Sequence, residues 1–512
     1  MKASSAFAAL SVTFGIILFS AHVYGQSNTG SADQIPQSPD QMFQSPDMIE
    51  NAPPASAGSG SASVGTAAAP AAPTQSGTVQ SVAKSASPTD AFLTSKGVTI
   101  GGTLYSEFTE VVQWYQDYPA LSNLSAGESD YFVPRLEGDI YFDARPYDYF
   151  RVFGKVKATY PFTGSSSQSG LSPTQFSTNL ASAPNVNLFE LYADFSYRDS
   201  IYFRAGKQVM SWGVGYFFSP ADVISLAPIN PQQPTLEREG PLALKVSIPY
   251  ASIDNLYLYA IMNPAFQEGS VFHIDDLAYA AKTEFLVGDY ELGIGGYFQR
   301  TQRPKLMATA TGSLWKLNLF SEAVLSYGRD ANFVVAAPLI PPLYYSVGPA
   351  DTTSPYFSGT VGASYTNSDL NLNLFGQYYY NGQGYADAAT EEAAIKLYHY
   401  QLAQLAGGVT PAGTLLTSND LQNPGRHYLA LSANLANIAN SNFDIGLFYE
   451  GNLTDGSGVL SPSVSFRPLG GYSYVAFTLA PYFTYGDSSS EFVGSFGHLT
   501  LTLKATIGEG SF

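Results

Sequence analysis

The chain has 512 residues, a formal net charge of −18 and no cysteine. Charged residues make up 12 %, about half of what a soluble domain carries, whereas aromatic residues reach 14 %, with 36 Tyr and 33 Phe. Without thiols there is no disulfide scaffold, thiolate metal site or Cys nucleophile, and the acidic balance excludes nucleic acid as a partner because nothing would neutralise its phosphates.

Residues 1–25 read as a secretory signal peptide. Lys2 is followed by an apolar run from Ala6 to Ala21, and Val23-Tyr24-Gly25 offers a small residue for cleavage before Gln26. The run is short of the ~20 residues that a helical span needs. Residues 26–92 are rich in Ala, Ser, Pro and Gly and carry too little apolar surface to offset the entropy of ordering. They predict a disordered extension that tethers the rest of the chain.

From Val98 the pattern becomes alternation of period two. Phe189, Leu191, Ala193, Phe195 and Tyr197 oppose Glu190, Asp194 and Ser196; Phe357, Val361, Ala363 and Tyr365 oppose Ser358, Thr360, Ser364 and Thr366. Leu499, Leu501, Leu503, Ala505 and Ile507 oppose Thr500, Thr502, Lys504 and Thr506. The connections add a second rhythm. Short turns such as Pro146-Tyr147-Asp148 and Gly288-Asp289 alternate with long stretches at 163–187, 213–240, 328–354 and 382–426. Short turns on one rim and long loops on the other are the layout of an outer-membrane barrel. The expected fold is therefore all-β, over residues 98–512: a transmembrane antiparallel up-and-down β-barrel of about 18 strands (16–18), both ends on the periplasmic side. Aromatic residues where strands end, among them Tyr105, Trp114, Tyr197, Tyr327, Tyr378 to Tyr380 and Tyr485, are expected to form interfacial girdles.

With these features the chain resembles Gram-negative-type outer-membrane porins. Phe512 resembles the terminal aromatic by which the barrel-assembly machinery recognises such chains. Ala205-Gly206-Lys207-Gln208, Ser211-Trp212-Gly213, Pro220-Ala221-Asp222 and Leu236-Glu237-Arg238-Glu239-Gly240 look like a signature of uncharacterised exported barrel families. The resemblance implies the bacterial outer membrane as location, membrane lipid and lipopolysaccharide around the wall, and small solutes as cargo.

If the apolar parity faces lipid, the opposite parity lines the lumen. That places Arg135, Glu137, Asp139 and Asp143 on one line and Arg151, Lys155 and Lys157 on the next, with Glu190, Asp194, Arg204 and, further on, Lys245, Lys282, Lys316, Glu322 and Glu450. Adjacent lines of opposite sign either set a transverse field across water or pair to stabilise the wall. Residues 213–240 carry four prolines, so they cannot be a ladder strand throughout, and they carry Phe217, Phe218, Val223, Ile224 and Leu226, which need a dry partner. The segment is expected to fold onto the inner wall and narrow the pore. Asp222, Glu237, Arg238 and Glu239 would face the passage or pair with wall cations such as Arg204.

Two other loops stand out. Asp387 to Ala406 predicts a helix capped by Thr390 with Ile395, Tyr398, Leu402 and Leu405 on its packed face. Phe333 to Val347 is apolar enough either to fold over the mouth or to greet an apolar ligand. Gly293-Ile294-Gly295-Gly296 marks a bulge or a crowded wall. His273, His399, His427 and His498 show no metal-ligand spacing, there is no Gly-x-Ser-x-Gly elbow, and neither enzyme activity nor a cofactor is expected. A channel for passive diffusion of small polar or charged solutes is the leading functional expectation. A surface adhesin or structural barrel with a blocked lumen, and a hydrophobic-solute transporter, are the rivals.

Overall fold

The computed structural model describes residues 97–115, 129–147, 149–160, 185–198, 200–250, 255–262, 274–300, 302–336, 345–348, 351–411, 413–468 and 475–511. The signal-peptide and tether readings, and Phe512, lie outside these residues. The strands are β1 (Val98–Trp114), β2 (Ser129–Tyr147), β3 (Phe150–Tyr160), β4 (Asn185–Tyr197), β5 (Ile201–Lys207), β6 (Leu242–Pro249) and β7 (Asn255–Ile261). There follow β8 (Ala278–Val287), β9 (Tyr290–Phe298), β10 (Lys305–Leu314), β11 (Leu317–Tyr327), a hairpin of β12 (Val334–Ala336) and β13 (Tyr345–Val347), β14 (Pro355–Asn367) and β15 (Leu372–Asn381). After helix α1 (Ala388–Ala406) come β16 (His427–Leu435), β17 (Phe443–Asn452), β18 (Ser457–Phe466) and β19 (Val475–Tyr485), then helix α2 (Glu491–Phe496) and β20 (Leu499–Ser511).

Eighteen of these strands, all but β12 and β13, form one antiparallel sheet in which each pairs with its neighbours in the chain. The sheet closes on itself because β20 pairs with β19 on one side and β1 on the other, Trp114 standing opposite Leu499. Closure removes every edge and satisfies the backbone between strands, the condition for crossing hydrocarbon. The outer face carries the apolar parity: Ile140, Val186, Leu244, Leu258, Leu306, Leu325, Val361, Leu431 and Leu447 are exposed, Leu306 by 64 %. Such a belt has no stable place in water. The chain is an outer-membrane-type transmembrane barrel whose belt contacts lipid.

Aromatic girdles frame the belt, partly with other residues than the sequence suggests. At the short-turn rim stand Tyr147, Tyr149, Tyr197, Tyr250, Tyr290 and Trp315, the last 92 % exposed; at the long-loop rim stand Tyr279, Phe298, Tyr327 and Tyr485. Tyr105 and Trp114 are buried instead, and Tyr379 points inward onto Tyr428 and Phe218. Lys316, expected in the lumen, is exposed in the β10–β11 turn.

The alternation breaks at one informative place. Glu190 pairs with Lys155 and Leu188 with Val156, so Phe189 is an extra residue in β4. This bulge turns Phe189 inward, where it is buried beneath the Lys155 and Lys157 ammonium groups, 5.0 and 4.7 Å from its ring centroid. Leu188 takes its place on the lipid side.

Candidate functional site

The connection from β5 to β6, residues 208–241, turns into the barrel. Its prolines prevent it from pairing as a strand, and its apolar side chains find their dry partner on the inner wall. Met210, Trp212, Ala221 and Ile224 are buried against Ala243, Tyr257, Tyr259, Ala280, Tyr297, Met307 and Val324 from β6 to β11. Phe217 and Phe218 continue the packing onto Phe375, Tyr428 and Ala430 of β15 and β16, with Tyr216 stacked on Phe375 at 4.4 Å between centroids.

Side chains of the wall hold the loop backbone. Glu322 of β11 accepts hydrogen bonds through Oε1 from the Val214 and Gly215 N–H groups, both at 2.6 Å, and from the Ser219 hydroxyl at 2.9 Å. Its Oε2 accepts from the Ala221 N–H at 2.8 Å. A carboxylate taken from water into an apolar wall needs such replacement donors. Gln377 of β15 accepts from the N–H groups of Tyr216, Phe217 and Phe218, and its Nε2 donates to the Phe218 carbonyl and to the Thr360 hydroxyl. On the β8 wall, the Lys282 ammonium donates to the Trp212 carbonyl at 3.0 Å and pairs with Glu284 at 2.6 Å. Glycines make room for it: a Cβ on Gly293 would lie 2.4 Å from Thr309 Oγ1 and 2.8 Å from Lys282 Cε. The glycine run marks a crowded wall.

The far end of the loop reaches the opposite side of the ring. Glu237 bridges the Lys155 and Lys157 ammonium groups of β3 at 2.7 and 3.2 Å, and Glu239 pairs with Lys207 of β5. Burial works to raise the Glu237 carboxyl, but the two lysines outweigh it and hold the group below the ordinary carboxylate range. Asp222 and Arg238 tie the loop to itself. The Arg238 guanidinium pairs with Asp222 at 2.7 Å and donates to the Ala227 carbonyl at 2.8 Å, while Asp222 also accepts from the Trp212 N–H and the Ser225 hydroxyl. Since β3 and β11 to β15 face each other across an eighteen-strand ring, the loop crosses the lumen.

The wall charges form a lattice on β2 to β5. Lys157 pairs with Glu137 at 2.7 Å, Lys155 with Asp139 at 3.4 Å, and Arg135 lies 3.9 Å from Glu137. Arg151 lies between Asp143 at 2.9 Å and Asp194 at 3.3 Å, and Asp194 also holds Arg204 at 2.7 Å. Glu190 accepts from the Val209 N–H at the start of the loop. The lattice continues across the seam, where Lys504 pairs with Glu107 at 3.3 Å. Arg204 is held by Asp194, directly opposite it in register, and Lys155, Lys157 and Lys207 are the wall cations that take Glu237 and Glu239.

Sequence reasoning lists Glu322 only as one lumen charge among many and misses Gln377. A signal was present. Each is a polar residue within an otherwise apolar inward line, Phe320-x-Glu322-x-Val324 and Phe375-x-Gln377-x-Tyr379. A polar group so placed needs a partner brought from elsewhere in the chain.

Above the lumen, two long loops form an outer cap. Val334, Tyr385, Ala394, Leu397 and Leu416 are buried together, with Phe333, Tyr345, Val347 and Tyr398 packed around them. Phe333 stacks on Tyr385 at 4.1 Å. Val334, Phe333, Tyr345 and Val347 thus pack against α1, whereas Val335 is exposed and residues 337–344 of this apolar run lie outside the described residues. The helix is capped by Asp387, which accepts from the Thr390 N–H, rather than by Thr390, and its Leu402 and Leu405 are exposed while Glu391, Ala394, Leu397 and Gln401 are buried. Beneath the cap lies a cavity of about 240 Å³ bordered by Pro220 of the crossing loop, Lys305, Asp330, Asn381, Gln383 and Asn419. His427 has its Nδ1 2.6 Å from the Tyr378 hydroxyl.

No family model matches the chain, and no curated protein matches it. Among solved structures it is similar to OccK9 (OpdG) of Pseudomonas aeruginosa, at 10 % identity over 81 % of this chain and 98 % of that one, with a TM-score of 0.44. It is similar also to OccAB1 of Acinetobacter baumannii, at 9 % identity over 81 % and 96 % of the two chains, TM-score 0.46. A BenF-like porin from Pseudomonas fluorescens Pf-5 shares 8 % identity over 81 % and 99 %, TM-score 0.43.

Proposed function

We propose that the barrel is an outer-membrane channel for passive diffusion of small polar or charged solutes, with the loop at 208–241 as its constriction. The observation that carries this reading is the charge lattice of Glu137, Asp139, Arg151, Lys155, Lys157, Asp194 and Arg204 on the inward face of β2 to β5. Charges on the inner wall of a barrel are sustained by water, and the loop leaves its apolar packing to the other side of the ring. The passage then follows the arc from β20 through β1 to β5. Glu237 and Glu239 project from the loop toward it, and the amide-rich cavity under the cap offers polar solutes a first stop.

The test is a planar bilayer. Purified mature protein should give discrete conductance steps, and a bilayer that stays closed at all voltages would refute the reading. A blocked structural or adhesive barrel is the second reading, favoured by one observation: the outer cap and the crossing loop both lie over the lumen. That reading requires the closed bilayer. A hydrophobic-solute transporter is the third reading; of the apolar run that motivates it, Val334 is buried with Phe333, Tyr345 and Val347 packed beside α1, Val335 is exposed, and residues 337–344 lie outside the described residues.

A further inference from the structure

Four acidic residues gather where the outer cap meets the barrel rim. Glu391, in the first turn of α1, is fully buried. Its Oε1 accepts from Asn452 Nδ2 at 2.5 Å, while its Oε2 is buried with no hydrogen-bond partner. The same Asn452 amide donates to Glu491 Oε2 of α2 at 2.8 Å, and the Tyr428 hydroxyl donates to that oxygen at 2.8 Å. Asn452 cannot be reversed, because its Oδ1 accepts from the Thr454 N–H at 2.9 Å and the Asp455 N–H at 3.4 Å. Asp455 accepts in turn from the Glu491 N–H at 2.9 Å. Glu450, buried two residues before Asn452 on β17, is the fourth acid.

The surroundings supply no balancing charge. Among the described residues no lysine or arginine forms an ion pair with Glu391, Glu450, Asp455 or Glu491. Glu392 faces outward and takes up Lys396 at 2.8 Å. Tyr428 and Tyr385 are neutral neighbours, and Arg329 is held over the rings of Phe333 and Tyr356 at 3.6 and 4.8 Å. Buried carboxylates in such a place require either a bound cation or protons. A cation is disfavoured because the Asn452 amide presents N–H groups between the two glutamates. Among the described residues, no set of three acidic or histidine side chains is disposed to hold a metal ion.

We propose that protons on Glu391 and Glu491 form a clasp that holds α1, and with it the β12–β13 hairpin, on the barrel rim, and that losing these protons frees α1 as a lid. Burial is the main cause that raises both carboxyls, joined by the charges of Glu491 and Asp455 at Glu391 and of Asp455 at Glu491: Glu391 to about 9 and Glu491 to about 8. The direction fixes the sign. The closed cap keeps protons that the released chain has given up, so the clasp is at full strength below the ordinary carboxylate range. It weakens as pH rises and is spent above about pH 9.

Amide hydrogen exchange on the full chain in detergent micelles tests the clasp, with α1 compared against β11 after correction for intrinsic exchange rates. Between about pH 6 and about pH 10, protection of α1 relative to β11 should fall by up to about tenfold per pH unit for each carboxyl that ionises. The double variant Glu391→Gln, Glu491→Gln cannot ionise at these positions and should keep that ratio flat. An unchanging ratio in the natural chain would overturn the proposal, as would a double variant that keeps the natural pH dependence. Calcium that restores α1 protection at alkaline pH, reversed by a chelator, would overturn it in favour of a cation site. Should the double variant fail to fold, the titration of the natural chain decides alone. Exchange reads α1 itself, so a barrel that does not conduct would remove the channel reading and leave the clasp to be judged on its own.

Discussion

Gln377 and Phe218 meet as two strand residues would. The Gln377 Oε1 accepts from the Phe218 N–H at 3.3 Å while its Nε2 donates to the Phe218 carbonyl at 2.5 Å. A side-chain amide has replaced the backbone of a neighbouring strand, at a point where the prolines of the loop forbid a real one.

That pairing predicts what its removal does. Gln377→Leu leaves three loop N–H groups without their acceptor, and Glu322→Leu leaves three N–H groups and a hydroxyl. At about 1–3 kcal/mol for each buried unpaired group, either change should detach the loop from the wall. Trp212, buried in the loop, reports it: its emission should shift to the red and acrylamide quenching should rise. Emission unchanged in both variants would mean that apolar packing alone seats the loop.

Glu237 governs the charge on the loop edge. Neutralising it in Glu237→Gln unmasks Lys155 and Lys157, so the reversal potential in a salt gradient should move toward anion preference at similar conductance. Because the lysines hold its carboxyl below the ordinary range, the natural chain should keep its selectivity as pH falls through about 4.3 and change only at lower pH. The stabilisation from this contact is present above the unfolded pKa and is lost as pH falls through the folded one. A change of selectivity already at mildly acidic pH would contradict the assignment.

Arg238 acts inside the loop. Arg238→Ala breaks the clamp on Asp222, whose side chain is buried, and strands that charge at a cost of about 3 kcal/mol. Open-channel current noise should rise, with a higher mean conductance. Noise like that of the natural channel would show that the wall anchors alone set the pore.

Gly293 carries a steric prediction. A side chain there meets Thr309 Oγ1 and Lys282 Cε, so Gly293→Val should push Lys282 from Glu284 and from the Trp212 carbonyl. Overpacking of this kind costs about 1–3 kcal/mol, read as an earlier midpoint in urea unfolding. A midpoint unchanged from the natural chain would show that the wall has slack.

Residues 26–87 should be dispensable for barrel formation, since β1 opens only at Val98. The truncated chain should keep heat-modifiable migration on gels; loss of that behaviour would mean that the segment assists folding.

The closed ring was legible because period-two alternation and the rhythm of loop lengths are properties of each strand by itself. What was not legible depended on two segments at once. The bulge at Phe189 is defined by the register of β4 on β3, and nothing in the Leu188–Tyr197 run announces it. The helix cap shifted from Thr390 to Asp387 because either residue can accept a bond, and only the backbone path chooses between them. The loop was readable as an inward segment from its prolines and aromatic residues. Its true wall partners, Lys155, Lys157, Lys207, Glu322 and Gln377, followed from the curvature of the finished ring.

The anchors of the crossing loop also order events during assembly. Its β3 and β5 partners precede it in the chain, but Glu322 and Gln377 lie about 100 and 160 residues after the groups they hold. Contacts of such separation form late, because the intervening chain must first be placed. The loop can be bound at one end while β6 to β11 are still being laid down, yet it cannot be locked across the lumen until β15 is in the sheet. A nascent barrel stalled before that strand would carry an unseated loop with Trp212, Phe217 and Phe218 uncovered. Such an intermediate would be wider and stickier than the finished protein, and the rate at which β11 to β15 join would set how long that state lasts.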